Sequence, residues 1–201
     1  MFPEATFDSL VIAKELSDVA GGASEEEATL FGYLSCLLAV YDGNAPSEWG
    51  YSFVATKTIA PFSDALREAL RALVNRGLLI LQDEGYSITD NGELLLADLL
   101  GLARFADRMK YLRAACNSAL AIPLPQVGEA IIAEPQLRRA LALSSTRPLL
   151  DKAGADALYD HFNAVSSVVP EDADLFVPAV VWLTYLASTI SDDNGPHFLG
   201  A

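Results

Sequence analysis

Few residue types in this chain could carry chemistry at a useful spacing. Imidazole is supplied only by His161 and His197. His161 follows Asp156 and Asp160, which stand four apart on an expected helix, but neither a second histidine nor a convergent carboxylate pair accompanies them, so an exposed helix face is the plainer reading. Asp192-Asp193-Asn194-Gly195 has the start of a calcium loop without its alternating ligands or closing glutamate, which makes it, with His197, part of a tail. Ser144-Ser145-Thr146 has no nucleophile-elbow frame, and Gly21-Gly22 and Gly43 are not followed by the Lys-Ser or Lys-Thr of a phosphate-cradling loop. Cys36 and Cys116 lie in apolar helical patterns without zinc-like spacing and read as packed thiols in a reducing compartment. Neither catalysis, a cofactor nor a metal is therefore expected.

Two other groups are candidates for binding rather than reaction. Arg104, Arg108, Lys110 and Arg113 fall on one expected helix, with Arg138, Arg139 and Arg147 beyond it. They serve an acidic partner, nucleic acid, or the acidic ends of the same chain, and the last needs the fewest assumptions. Trp49, Tyr51 and Phe53 alternate and would share one face of a strand, packed on the core or exposed as a docking spot.

The elements that position these residues follow from caps and periodicity. Ser24-Glu25-Glu26-Glu27 has capping-box spacing, and Leu30, Phe31, Leu34, Leu37, Leu38 and Tyr41 put one apolar face on a helix running to Tyr41. Asp42-Gly43-Asn44-Ala45-Pro46 stops it, and Tyr51 to Ala55 reads as extended. Ser63 is the expected N-cap of a second helix that buries Leu66, Leu70, Leu73 and Val74 and ends at Asn75-Arg76-Gly77. Leu78 to Gln82 and Tyr86 to Thr89, joined by Asp83-Glu84-Gly85, read as a β-hairpin. Thr89 caps a third helical stretch, with a break at Gly101, to about Leu120. Residues 126–133, 135–143, 153–168 and 171–190 can each be helical, and Ser191 to Ala201 a frayed tail. The helix around Phe176, Val180, Trp182, Leu183 and Tyr185 is apolar nearly all round, which implies deep burial or a homodimer interface.

The 201 residues carry a formal charge of −14 with 52% hydrophobic residues, enough for a full core and contrary to an indiscriminate nucleic-acid binder. Charge runs −8, −3, +4 and −7 over successive quarters, an acidic chain with a basic third quarter. Met1-Phe2-Pro3-Glu4 has no basic or apolar leader pattern, and the longest uncharged apolar run, Leu175 to Ser191, holds Pro178 and several hydroxyls. A cytoplasmic protein with no membrane segment is expected.

Helix, extended link, helix ending in Asn75-Arg76-Gly77-Leu78-Leu79, hairpin, then Ile88-Thr89-Asp90-Asn91-Gly92-Glu93-Leu94: this order resembles the winged helix-turn-helix superfamily over residues 24–100. The resemblance implies a mainly α fold with a small β-hairpin wing. Residues 1–23 are then an N-terminal extension, 101–190 a helical unit and 191–201 a tail. In DNA-binding members the helix from Ser63 to Arg76 would enter the major groove and the Asp83 to Gly85 tip would touch the backbone. Here Arg67 and Arg71 stand beside Asp64 and Glu68, and the tip carries Asp83 and Glu84 without a cation, which suits pairing within the helix and contact with protein.

The acidic layout with a helical C-terminal half also resembles the small middle subunits that accompany ABC-type or SMC-like ATPases in bacterial defence and chromosome-organising complexes. The expectation is a non-catalytic adaptor subunit with a protein partner, docking through Trp49, Tyr51, Phe53, Asp83 and Glu84. The alternative is a DNA-binding transcription regulator using Arg67, Arg71 and Arg76.

Overall fold

The computed structural model describes residues 2–56, 60–82, 85–143, 146–150 and 152–193. It is mainly helical, with a small amount of antiparallel sheet. The helices are α1 (Pro3–Ala20), α2 (Glu25–Tyr41), α3 (Asp64–Asn75), α4 (Asp90–Leu100), α5 (Ala103–Ala121), α6 (Leu124–Ile132), α7 (Pro135–Ala142), α8 (Lys152–Ser166) and α9 (Phe176–Asp193). Among the described residues no helix is long and apolar enough to cross a membrane.

Residues 1–23, expected as an extension, contain the well-buried helix α1. Pro3 starts it, where its missing N–H costs nothing, and Gly21 ends it in the left-handed region at φ 76°, donating its N–H to Ser17 O. Phe7, Leu10, Val11, Ile12 and Leu16 are fully buried. The polar residues that disguise this helix are each satisfied. The Thr6 and Ser9 hydroxyls donate to Phe2 O and Ala5 O, and Asp8 meets Arg108 on α5.

Helix α5 lies beside α1 and runs parallel to it. Arg104 reaches Glu4 at 3.3 Å, Arg113 reaches Glu15 at 3.3 Å, and the Phe7 and Phe105 rings stack 4.6 Å apart. Helix α2 completes the centre, with every residue from Phe31 to Val40 buried as its apolar composition requires. Its start carries the expected capping box between Ser24 and Glu27.

After α3, strands β3 (Leu79–Gln82) and β4 (Gly85–Ile88) form an antiparallel hairpin, with Leu79 opposite Ile88 and Gln82 opposite Gly85. Ala23 extends it from the other side by exchanging both backbone hydrogen bonds with Tyr86, at 3.0 and 2.8 Å. Gly85 permits this approach: its φ is 125°, and a Cβ there would stand 2.6 Å from the Ala23 carbonyl.

Between α2 and α3 the chain makes a 3₁₀ turn, Pro46–Trp49, and the short strands β1 (Val54–Ala55) and β2 (Pro61–Phe62). β1 pairs with β2 and with β5 (Arg147–Pro148), which ties this linker to the C-terminal half. Trp182, Leu183 and Leu186 of α9 are buried, so most of its apolar stripe is consumed within one chain, while Tyr185 remains 46% exposed. Residues 171–175 are not helical: the Asp174 carboxylate accepts the Phe176 N–H and starts α9 there. Its last described residue is Asp193, and residues 194–201 of the expected tail lie outside the described residues.

Candidate functional site

Helix α3 and the hairpin present the first candidate surface. Leu66, Leu70 and Leu73 of α3 pack inward, and Leu66 sits so close to α2 that a Cβ on Gly32 would be 2.7 Å from it. The opposite face carries Asp64, Arg67, Glu68 and Arg71. Arg67 pairs with Asp64 at 2.5 Å and lies over the Phe62 ring, while Arg71 approaches Glu25 of α2 at 3.9 Å. Arg76 is exposed at the C-cap, where Gly77, at φ 68°, turns the chain into β3. Along β3, Ile80 and Leu81 are 41% and 61% exposed, and among the described residues the strand pairs only with β4. Asp83 and Glu84 lie outside the described residues.

Trp49, Tyr51 and Phe53 lie together, but not on one strand. Pro46 and Gly50, the latter at φ 91°, bracket the 3₁₀ turn that Trp49 closes. Trp49 and Phe53 are 4% and 1% exposed, and Tyr51 is half-buried. These residues wrap a buried ion pair that no local pattern announced. Arg108 donates from Nε and Nη2 to the two Asp8 carboxylate oxygens, at 2.5 and 2.6 Å, and from Nη1 to Trp49 O at 2.9 Å. The Tyr51 hydroxyl donates to Asp8 Oδ2 at 2.5 Å, and the guanidinium lies 3.5 Å from the centre of a Trp49 ring. Burial raises the Asp8 carboxyl above its ordinary range, and Arg108 and Tyr51 pull it back. Both carboxylate oxygens are occupied, so the group serves as a clamp joining α1, α5 and the linker. A cavity of 310 Å³ beside it is lined by Cys36, Asn44, Trp49, Arg108 and Tyr111 among others.

The remaining cations of α5 are also spent inside the chain: besides Arg104 and Arg113, Lys110 meets Asp42 at 2.7 Å, and Asp42 also accepts the Tyr111 hydroxyl. The basic third quarter thus meets the acidic first quarter.

A second buried acid is Glu134, before α7. Its carboxylate accepts the Tyr33 hydroxyl at 3.0 Å and the backbone N–H groups of Gln136 and Leu137 at 3.0 and 2.9 Å. Burial pushes its pKa up to about 7, against the pull of these donors. It caps α7 and fastens it to α2.

Among the described residues no group of three or more His, Cys, Asp or Glu side chains could hold a metal ion. His161 is half-buried, edge-on to Tyr185, and burial lowers its pKa. Cys36 and Cys116 are free and buried, and burial pushes both thiols up, opposite to the shift that activates a nucleophile. Ser144, Ser145, Asn194, Gly195 and His197 lie outside the described residues. No protein-family model, curated protein or solved structure matches this chain.

Proposed function

We propose that this chain is a non-catalytic interaction subunit built on a winged helix, with the α3 and hairpin face as its docking surface. The element order supports the winged-helix reading and moves its start to α1: helix α1, single-residue strand Ala23, helix α2, helix α3, then the β3–β4 wing with Ala23 paired to its second strand. The linker between α2 and α3, with its 3₁₀ turn and short strands, stands where a tight turn joins the two helices in a DNA-binding helix-turn-helix.

One observation carries the choice of partner. Arg67 and Arg71, the cations a recognition helix would turn toward phosphate, face carboxylates of their own chain, while the neighbouring strand offers exposed Ile80 and Leu81 on an edge that no other strand covers among the described residues. An open strand edge with apolar side chains is a template for another chain. Docking through Trp49 and Phe53 has less support, because both are already packed.

Titration of a labelled random-sequence DNA duplex at about 0.15 M salt separates this reading from a transcription regulator. The subunit reading predicts no saturable binding. Salt-sensitive binding that disappears when Arg67 and Arg71 are changed to Ala would favour the regulator instead.

A further inference from the structure

Gly32, Gly92 and Gly128 are glycines inside helices α2, α4 and α6. Two are required by packing. A Cβ on Gly32 would be 2.7 Å from Leu66, and one on Gly92 would be 2.2 Å from Leu78 O. Gly128, in α6, is different, because a Cβ there would meet nothing within 4 Å. A glycine inside a helix costs about 0.5–1 kcal/mol relative to alanine. The fold of this chain gives no reason for that cost.

Gly128 lines a groove of 350 Å³ between α6 and the first turns of α2. Leu30, Pro61, Leu124, Ile131 and Ile132 make its walls apolar, and Glu26 and Glu27 stand at its rim. Glu27 is committed to the capping box. Glu26 is exposed and has no ion-pair partner among the described residues; the same holds for Glu129, beside Gly128. Among the described residues the groove therefore combines an apolar floor with a rim carboxylate, Glu26, that no cation pairs, on a chain whose net charge is −14.

We propose that this groove docks a short segment of a partner protein, about two or three apolar side chains flanked by Lys or Arg, and that Gly128 leaves the space those side chains enter. Charge selects this occupant. A second copy would bring the same carboxylates against Glu26 and Glu27, whereas a basic segment neutralises them. The inference rests on reading the chain as an interaction subunit, but it uses a face other than the hairpin.

The test is selection of random dodecapeptides displayed on phage against the full chain, followed by anisotropy titration of the labelled consensus peptide. The expected consensus joins Leu, Ile or Phe to Lys or Arg. Its affinity falls about tenfold or more for Gly128→Phe, which fills the groove without meeting chain atoms at its Cβ, and is retained by Gly128→Ala. A thermal melt of each variant checks that it is folded. The surface variant Glu26→Lys with Glu129→Lys, which leaves the packing alone, shifts selection toward acidic peptides. An acidic or uncharged consensus on the wild type, or equal affinity for wild type and Gly128→Phe, overturns the proposal. So does a wild-type dimer in sedimentation that Gly128→Phe dissociates, since the occupant would then be a second copy. Leu81→Glu on the hairpin leaves peptide affinity unchanged, so failure of the hairpin reading is seen separately from failure of the groove.

Discussion

Arg108→Ala would leave the Asp8 carboxylate in the core with only the Tyr51 hydroxyl for company. Breaking one side of a buried pair strands the other charge, and the expected loss is about 3–5 kcal/mol in urea unfolding. Replacing both, as Asp8→Leu with Arg108→Met, removes the stranded charge and recovers most of that loss, because such pairs contribute little net stability over apolar groups. Glu134 makes a prediction in pH. Its folded pKa, about 7, lies above the ordinary 4.5, so between these values the folded chain binds more protons than the unfolded chain. Stability contributed by this group is therefore full below about pH 4.5, declines as pH rises through that window, and is flat above it. The decline is on the order of 3 kcal/mol, from about 1.4 kcal/mol per pKa unit. Glu134→Gln flattens that part of the stability curve, as measured by unfolding at a series of pH values.

Among the elements, the hairpin depends on one backbone contact. Gly85→Ala places a Cβ against the Ala23 carbonyl at a φ that only glycine adopts easily, and should cost about 1–3 kcal/mol by thermal unfolding. The elements that were legible in the sequence are those with local punctuation. Ser24 and Thr89 cap α2 and α4 as their spacing predicts, with Gly92 N–H donating to Thr89 Oγ1, and Gly77 stops α3 in the left-handed region. Helix α1 was not legible, because Thr6, Asp8 and Ser9 interrupt its apolar pattern and the partner that makes Asp8 tolerable lies 100 residues away. For the same reason the Asp8–Arg108 clamp could not be found from spacing: Arg108 showed only as one of several cations. Trp49, Tyr51 and Phe53 do lie together, but the 3₁₀ turn Pro46–Trp49 takes Trp49 off the expected strand face, and of the extended stretch from Tyr51 to Ala55 only Val54–Ala55 pairs in a sheet. Gly128 gave no signal of its own, since only the surroundings in space separate it from Gly32 and Gly92.

Across the whole molecule, the strong charge imbalance is partly settled inside the chain. Glu4, Glu15 and Asp42 meet Arg104, Arg113 and Lys110 in partly exposed pairs, each worth roughly 0–1 kcal/mol and weakened by salt. What remains outside is largely acidic, apart from cations such as Arg76, and the hairpin edge and the groove at Gly128 are among the apolar features left open. That distribution suits a chain whose surfaces meet other proteins.

The central claim is tested most directly by isolating the tagged chain from its own cells, with and without nuclease, beside the variant Ile80→Glu with Leu81→Glu. The account predicts a partner protein recovered in stoichiometric amount, insensitive to nuclease, and lost from the hairpin variant. Recovery of DNA alone, or of a partner that the hairpin variant holds as well as the wild type does, would contradict it.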